Sequence, residues 1–202
     1  MIELKDICKS FGDHVILNNF SETINDGEYV IFTGKSGCGK TTLLNTIGGL
    51  EKPDSGYVLI DGVDIYKTKN MEHYFKEKVG FLFQNFALVE NKSVSQNLEL
   101  VQKKQRTGVS ISNALEQVGL KDKGDMSVYK LSGGEQQRVA LARLIIKKCD
   151  IILADEPTGS LDRENASMVL EFLKKLAGQG KTVIIVTHDE KVMETAERVI
   201  KL

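Results

Sequence analysis

The segment Gly34-Lys35-Ser36-Gly37-Cys38-Gly39-Lys40-Thr41 constrains the chain more than any other. It fits the pattern G-x-x-x-x-G-K-[ST], and it follows the apolar run Tyr29-Val30-Ile31-Phe32 and precedes a helical pattern over 41–49. Glycines at these positions let the backbone wrap a phosphate, because a side chain would block the approach and strain a left-handed φ. Amides then point inward, and the N-terminus of the next helix adds positive potential. Lys40 is placed to reach β- and γ-phosphates, and the Thr41 hydroxyl to ligate Mg²⁺. The alternative is a glycine-rich turn without chemistry. The order strand, loop, helix argues against it.

A second segment completes the same chemistry. Ile151-Ile152-Leu153-Ala154 is an apolar run that ends in Asp155-Glu156, and a strand of this kind delivers its acids to the carboxyl edge of a sheet, where α/β ligands bind. Asp155 is expected to hold Mg²⁺ and Glu156 to polarise an attacking water. Taken alone, a strand that ends in solvated acids would be the plainer reading. The loop at Gly34 changes that balance.

The remaining pattern is α/β. Alternation over Ile2–Ile7 predicts a half-buried strand, with another near Val15–Leu17 and two short ones about Asp61-Gly62. A polar helical stretch over 71–78 precedes an apolar strand, Val79–Phe83. Ile151–Ala154 and Val183–Val186 flank a helix over 164–176, which implies a crossover and a parallel sheet. Residues from about 85 to 149 read as mostly helical and form a second lobe.

At 202 residues, with 41% hydrophobic and 27% charged residues, the chain can bury one sizeable core. Its net charge of -1 gives no basic excess of the kind nucleic-acid binders carry, so no nucleic acid is expected as a partner. Cys8, Cys38 and Cys149 have neither metal-site nor redox spacing and read as reduced thiols. No uncharged run approaches the roughly 18 residues that span a bilayer, and Met1–Asp6 lacks the order of a signal peptide, so a cytoplasmic chain is expected. His14, His73 and the Lys103-Lys104-Arg106 group read as solvated surface.

Further segments carry a family resemblance. Leu131-Ser132-Gly133-Gly134-Glu135-Gln136-Gln137-Arg138 resembles the ABC ATPase signature, and Ala154–Asp162 resembles that family's Walker B and D-loop. Gln84 after Phe81-Leu82-Phe83 is similar to the Q-loop, His188 to the switch histidine, and Phe11 to the aromatic residue that stacks on adenine. All lie in the family's order across essentially the whole chain. The wording of 48–56, 131–138 and 154–162 is similar to the branch holding macrolide-exporter, lipoprotein-release and cell-division ATPases. Residues 83–91 resemble Gram-positive subunits associated with bacteriocin export. Phe11 departs from the commoner Tyr. Cys38 departs from a small Ser or Ala, so thiol modification there would block ATP binding unless it is merely a tolerated small residue.

The resemblance implies one ABC ATPase domain of the P-loop NTPase class. It would have a RecA-like parallel-sheet core, an N-terminal antiparallel β subdomain (both within about 1–84 and 150–202) and an inserted helical subdomain (about 85–149). It implies ATP and Mg²⁺ as ligands. Phe11, Gly34, Lys35, Ser36, Gly37, Cys38, Gly39, Lys40, Thr41 and Thr42 would bind the nucleotide in one protomer. Ser132, Gly133, Gly134, Glu135 and Asp162 would serve the nucleotide of the opposite one. Thr41, Gln84 and Asp155 would hold the metal, and Glu156, His188, Gln84 and Lys40 would be catalytic. The implied partners are a second copy in the ATP-bound state and an integral-membrane permease on the inner face of the cell membrane, for efflux of a peptide, antimicrobial or lipophilic compound. The readings weighed against this are force transmission without transport and a non-catalytic dimerisation module.

Overall fold

The computed structural model describes residues 1–67 and 71–202. Two sheets share one body. The first is antiparallel, in the order β2-β1-β4-β5, from β1 (Ile2–Phe11), β2 (His14–Ile24), β4 (Ser55–Ile60) and β5 (Val63–Asp64). The second has the order β6-β7-β8-β3-β9, from β3 (Tyr29–Thr33), β6 (Val79–Leu82), β7 (Ile151–Asp155), β8 (Thr182–Val186) and β9 (Arg198–Lys201), with every pairing parallel.

The parallel strands are apolar on both sides because both of their faces are covered. Val30, Phe32, Leu153, Ile184 and Val186 pack with the antiparallel sheet and with α1 (Lys40–Ile47). Their neighbours Ile31, Ile152, Ala154, Val183 and Ile185 face the opposite core, built with α3 (Val94–Glu99), α4 (Ile111–Gln117), α5 (Gly133–Ile146) and α6 (Arg163–Gly178). Alternation of side chains along a strand thus divides one sheet between two cores. The crossover expected between 151 and 186 is present as β7, α6 and β8.

Several boundaries differ from the sequence reading. The second strand runs to Ile24 rather than Leu17, because register shifts after Leu4 and Ile7 break its alternation, and Asp6 and Asn19 both take φ 50. The stretch 71–78 is α2 (Met71–His73) followed by a π-turn (Tyr74–Lys78). Residues 85–149 hold three α-helices among loops and 3₁₀ turns, so they are less helical than expected. The edge strand β9 has half-exposed alternation too weak to read as core. Arg106 is no free surface charge: its Nε donates to Val101 O at 2.7 Å. Lys103, Lys104, His14 and His73 are exposed.

Two tyrosines finish α1, the helix that the glycine loop opens. The last carbonyls of a helix have no partner within it. Tyr66 Oη lies 2.7 Å from both Thr46 O and Glu51 O, which share its one proton, and Tyr74 Oη donates to Ile47 O at 2.8 Å. Burial pushes both phenols well above their usual range. Tyr74→Phe leaves the fully buried Ile47 with an unsatisfied carbonyl, and the expected loss is about 1–3 kcal/mol, measured by denaturant unfolding.

Candidate functional site

The loop from Gly34 leaves the carboxyl end of β3 and turns into α1 through Gly39, whose φ of 98 marks a left-handed cap. A Cβ at Gly39 would sit 2.6 Å from Ile16 Cγ2, so both the turn and the packing demand glycine there. Lys40 is buried, and its Nζ donates to Gly34 O at 2.9 Å and Lys35 O at 3.1 Å, bracing the loop that it terminates. Cys38 is partly buried, and its Sγ fills the space where a Gly34 Cβ would lie.

Asp155 ends β7, and the Thr41 hydroxyl donates to its Oδ1 at 3.2 Å, which joins the loop to the strand-borne acids. Burial raises the Asp155 pKa most, and Glu156 raises it further, against the opposing pull of the Thr41 bond and of Lys40. Glu156 has φ 42, and its amide donates to Val186 O at 2.9 Å. Its carboxylate is fixed at both oxygens: Thr187 Oγ1 donates to Oε2 at 2.8 Å, and His188 Nδ1 lies 2.6 Å from Oε1. A carboxylate can only accept, so the proton of this contact belongs to Nδ1. The His188 side chain is 74% exposed while that of Glu156 is 14% exposed, so the ring lies at the mouth and the acid within.

Phe11, Ile16, Lys35, Lys40, Glu156 and His188 are among the residues that line a cavity of about 490 Å³, whose floor is the loop itself, with Gln84 at its side. An adjoining groove of about 700 Å³ is lined by Thr41, Gln84, Asp155 and Gly133, together with Asn45, Phe86 and Ser160. Thr41 and Gln84 belong to both spaces. Phe11 is half exposed at the rim, with Lys9 Nζ 5.2 Å from its ring centroid.

The remaining signature residues stand apart, since Ser132, Gly134, Glu135 and Asp162 line neither space. Ser132 caps α5: its Oγ accepts from Glu135 N at 3.3 Å while Glu135 Oε2 accepts from Ser132 N at 2.8 Å. Lys123, which pairs with Glu135, holds that carboxyl below its usual range. Acceptance leaves the Ser132 hydroxyl proton free to donate. Asp162 caps α6, accepting from Asn165 N at 2.9 Å and from Asn165 Nδ2 at 2.7 Å. Asn165 also contacts Arg138, and a Cβ on Gly134 would strike its side chain at 2.6 Å. Asn165 therefore ties the turn at Gly134 to Asp162 within one protomer.

Thr187, Asn165 and Asn45 were not among the residues read from sequence. Thr187 stands beside His188, and that adjacency was the available signal. The donor set suits Mg²⁺, which takes oxygen ligands and keeps several waters. It offers one carboxylate, one hydroxyl and the Gln84 amide, and no cluster of three His, Cys, Asp or Glu side chains occurs among the described residues.

A phosphate loop at the carboxyl edge of a parallel sheet, joined by a hydroxyl to paired acids on a buried strand, defines a P-loop ATPase. Comparison narrows the class. The family model described as ABC transporter matches residues 17–159. The macrolide export ATP-binding/permease protein MacB of Campylobacter jejuni (strain 81-176) is 43% identical over 209 residues, covering 100% of this chain and 33% of MacB. The chain thus spans about a third of that relative's length. The ABC transporter ATP-binding protein YvrO of Bacillus subtilis (strain 168) is 40% identical over 99% of this chain and 92% of YvrO. The dimeric structure of MJ0796, a bacterial ABC transporter cassette, superposes with a TM-score of 0.89 at 38% identity, covering 100% of this chain and 94% of that one. A dimeric post-hydrolysis state of the same cassette, bound to ADP and Pi, gives 0.89 at 37%. The chain belongs to the ABC transporter family, as an ATP-binding ATPase cassette.

The raised pKa of Asp155 has a consequence for stability. A carboxyl whose folded pKa exceeds its unfolded value destabilises the fold once pH rises through the folded value. Asp155→Asn should therefore raise the thermal midpoint of the nucleotide-free protein at pH 7. That advantage should shrink on acidification, as read by calorimetry across pH.

Proposed function

We propose that this cassette is the motor subunit of an ABC transporter, which closes as an ATP-bound homodimer and drives a membrane permease in efflux of a peptide, antimicrobial or lipophilic compound. The observation that carries the reading is the meeting of Lys40, Thr41, Asp155, Glu156 and His188 at the carboxyl ends of β3, β7 and β8. Binding and hydrolysing a triphosphate needs this set.

In this reading the amides of 34–42 and Lys40 clasp the phosphates, and Phe11 stacks on the base. Thr41, Asp155 and Gln84 hold Mg²⁺, which when bound neutralises charge on the phosphate oxygens. Glu156 orients a water and accepts its proton, because Thr187 and His188 leave the carboxylate one fixed attitude. His188 and Lys40 stand by the transferred phosphoryl group.

We further infer that residues 85–149 act as a helical subdomain inserted in a core of 1–84 and 150–202. It would present Ser132, Gly133, Gly134 and Glu135 to the γ-phosphate held by the opposite protomer, with Asp162 at the same interface. The position of Ser132, Gly134, Glu135 and Asp162, outside both spaces beside their own phosphate loop, favours that arrangement. So do the dimeric states named for MJ0796. Loss of the bridging phosphoryl group would remove charge-assisted hydrogen bonds and let the dimer part. The name ATP-binding/permease carried by MacB supports a membrane partner, on whose inner face the cassette would sit. None of the helices in the described residues is long and apolar enough to cross a bilayer itself.

Glu156→Gln should bind ATP, lose turnover by about 10²-fold or more, and accumulate as a dimer on size exclusion. Undiminished phosphate release, or a strictly monomeric ATP-bound variant, would count against the reading. Lys40→Ala should abolish binding of a fluorescent ATP analogue, measured by anisotropy.

A further inference from the structure

The backbone just after Gln84 runs through Phe86 (φ 62) and Ala87 (φ 47), the only adjacent non-glycine pair of left-handed residues among those described. Such residues persist only where their surroundings over-determine them. The amides have local partners, Phe86 N donating to Phe83 O at 2.9 Å and Ala87 N to Asn85 O at 2.7 Å. The carbonyls are caught from another element. Arg143, in the last turn of α5, donates from Nη1 to Ala87 O at 2.6 Å and from Nη2 to Phe86 O at 2.9 Å.

A guanidinium is a rigid planar fork, so both bonds are made from a single orientation. It lines a cavity of about 240 Å³ with the apolar Phe81, Phe83, Leu100, Val101 and Leu144 and one further cation, Lys147. Burial lowers its pKa with no opposing carboxylate. A partly buried cation that gives two of its donors to strained carbonyls holds a loop rather than an ion pair. The first turn of the same helix carries the Ser132–Glu135 cap, and Gly133 lies 4.0 Å from the Phe86 ring by way of its Cβ position.

We propose that Arg143 is a positioning residue for hydrolysis: it locks Phe86–Ala87, thereby sets Gln84 over Thr41 and Asp155, and makes any displacement of α5 a displacement of Gln84. This rests on the reading of Gln84 as a site residue and adds the element that governs it. A signature turn engaged by a partner's nucleotide would then report to the metal side of its own site through one helix.

The test compares Arg143→Gln, Arg143→Lys and Arg143→Gln with Ala87→Gly, each in the full chain. In the nucleotide-free protein, hydrogen–deuterium exchange at the amides of Phe86 and Ala87 should quicken by about tenfold in Arg143→Gln. The kcat for ATP should fall about tenfold while KM and the affinity for a fluorescent ATP analogue stay within roughly twofold. Arg143→Lys keeps the stem and charge but loses the fork, so it should keep the thermal midpoint and still lose most of kcat. Ala87→Gly should recover severalfold of the lost kcat, because glycine takes the left-handed region without strain. Unchanged exchange in Arg143→Gln would overturn the proposal, as would a fall in kcat that tracks thermal midpoint across all three variants without rescue by glycine. Exchange is read without turnover, so absence of ATPase activity in the parent chain would sink the proposed function and leave this result standing.

Discussion

The site depends on a change of backbone hand between Asp155 and Glu156. Two consecutive residues of an extended strand point to opposite faces of a sheet. Here β7 ends as Glu156 turns left-handed, and its amide is taken by Val186 O on the neighbouring strand. Asp155 then reaches Thr41 on the loop, and Glu156 reaches Thr187 and His188 beyond β8. A left-handed glutamate costs on the order of 1–3 kcal/mol, and the hydrogen bonds at its amide and at both carboxylate oxygens offset that. Two acids are held side by side in different surroundings, one half-buried against a hydroxyl and one aimed at an imidazole. Separate environments are what allow neighbouring carboxylates to take separate roles.

One helix connects that centre to the rest of the surface around it. From its capped start at Ser132, α5 sends Gln137 Nε2 to Pro157 O at 2.7 Å, Arg138 to Asn165, and Arg143 to the carbonyls of Phe86 and Ala87. Just past its end, Lys147 Nζ donates to Phe75 O at 2.8 Å and Val79 O at 2.7 Å. Every one of these side chains binds backbone or amide rather than an opposite charge. Charge-assisted bonds to carbonyls are directional and stronger than neutral ones, so α5 is coupled to the acid strand, to α6 and to the Gln84 loop as a rigid part.

How much of this the amino-acid order revealed follows from locality. Gly34–Thr41, Asp155 and Glu156 are legible because each motif is contiguous and its neighbours supply the strand or helix that gives it meaning. The two faces of the parallel sheet are legible from apolar runs such as Val183–Val186. Tyr66, Tyr74 and Arg143 are not, since the carbonyls they serve lie 15 to 57 positions away and only the folded chain brings them close. The bulges at Asp6 and Asn19 hid most of β2, because a one-residue slip inverts the alternation on which strand reading relies. Thr187 carries no motif of its own, and only the fold shows that its hydroxyl orients the same acid as His188.

The strand order carries a consequence for how the molecule comes to exist. In the sheet, β8 lies between β3, which bears the phosphate loop, and β7, which bears the acids. Those two strands begin at Tyr29 and Ile151, and neither pairs with the other. A nascent chain that has emerged only as far as Gly180 therefore owns both motifs and no pocket. The thread that sews them together, Thr182–Val186, arrives afterwards, and loop-closure entropy over that span must be overcome at one late step. The nucleotide cleft thus waits on β8, and in the order of the chain only the edge strand β9 joins the sheet after it.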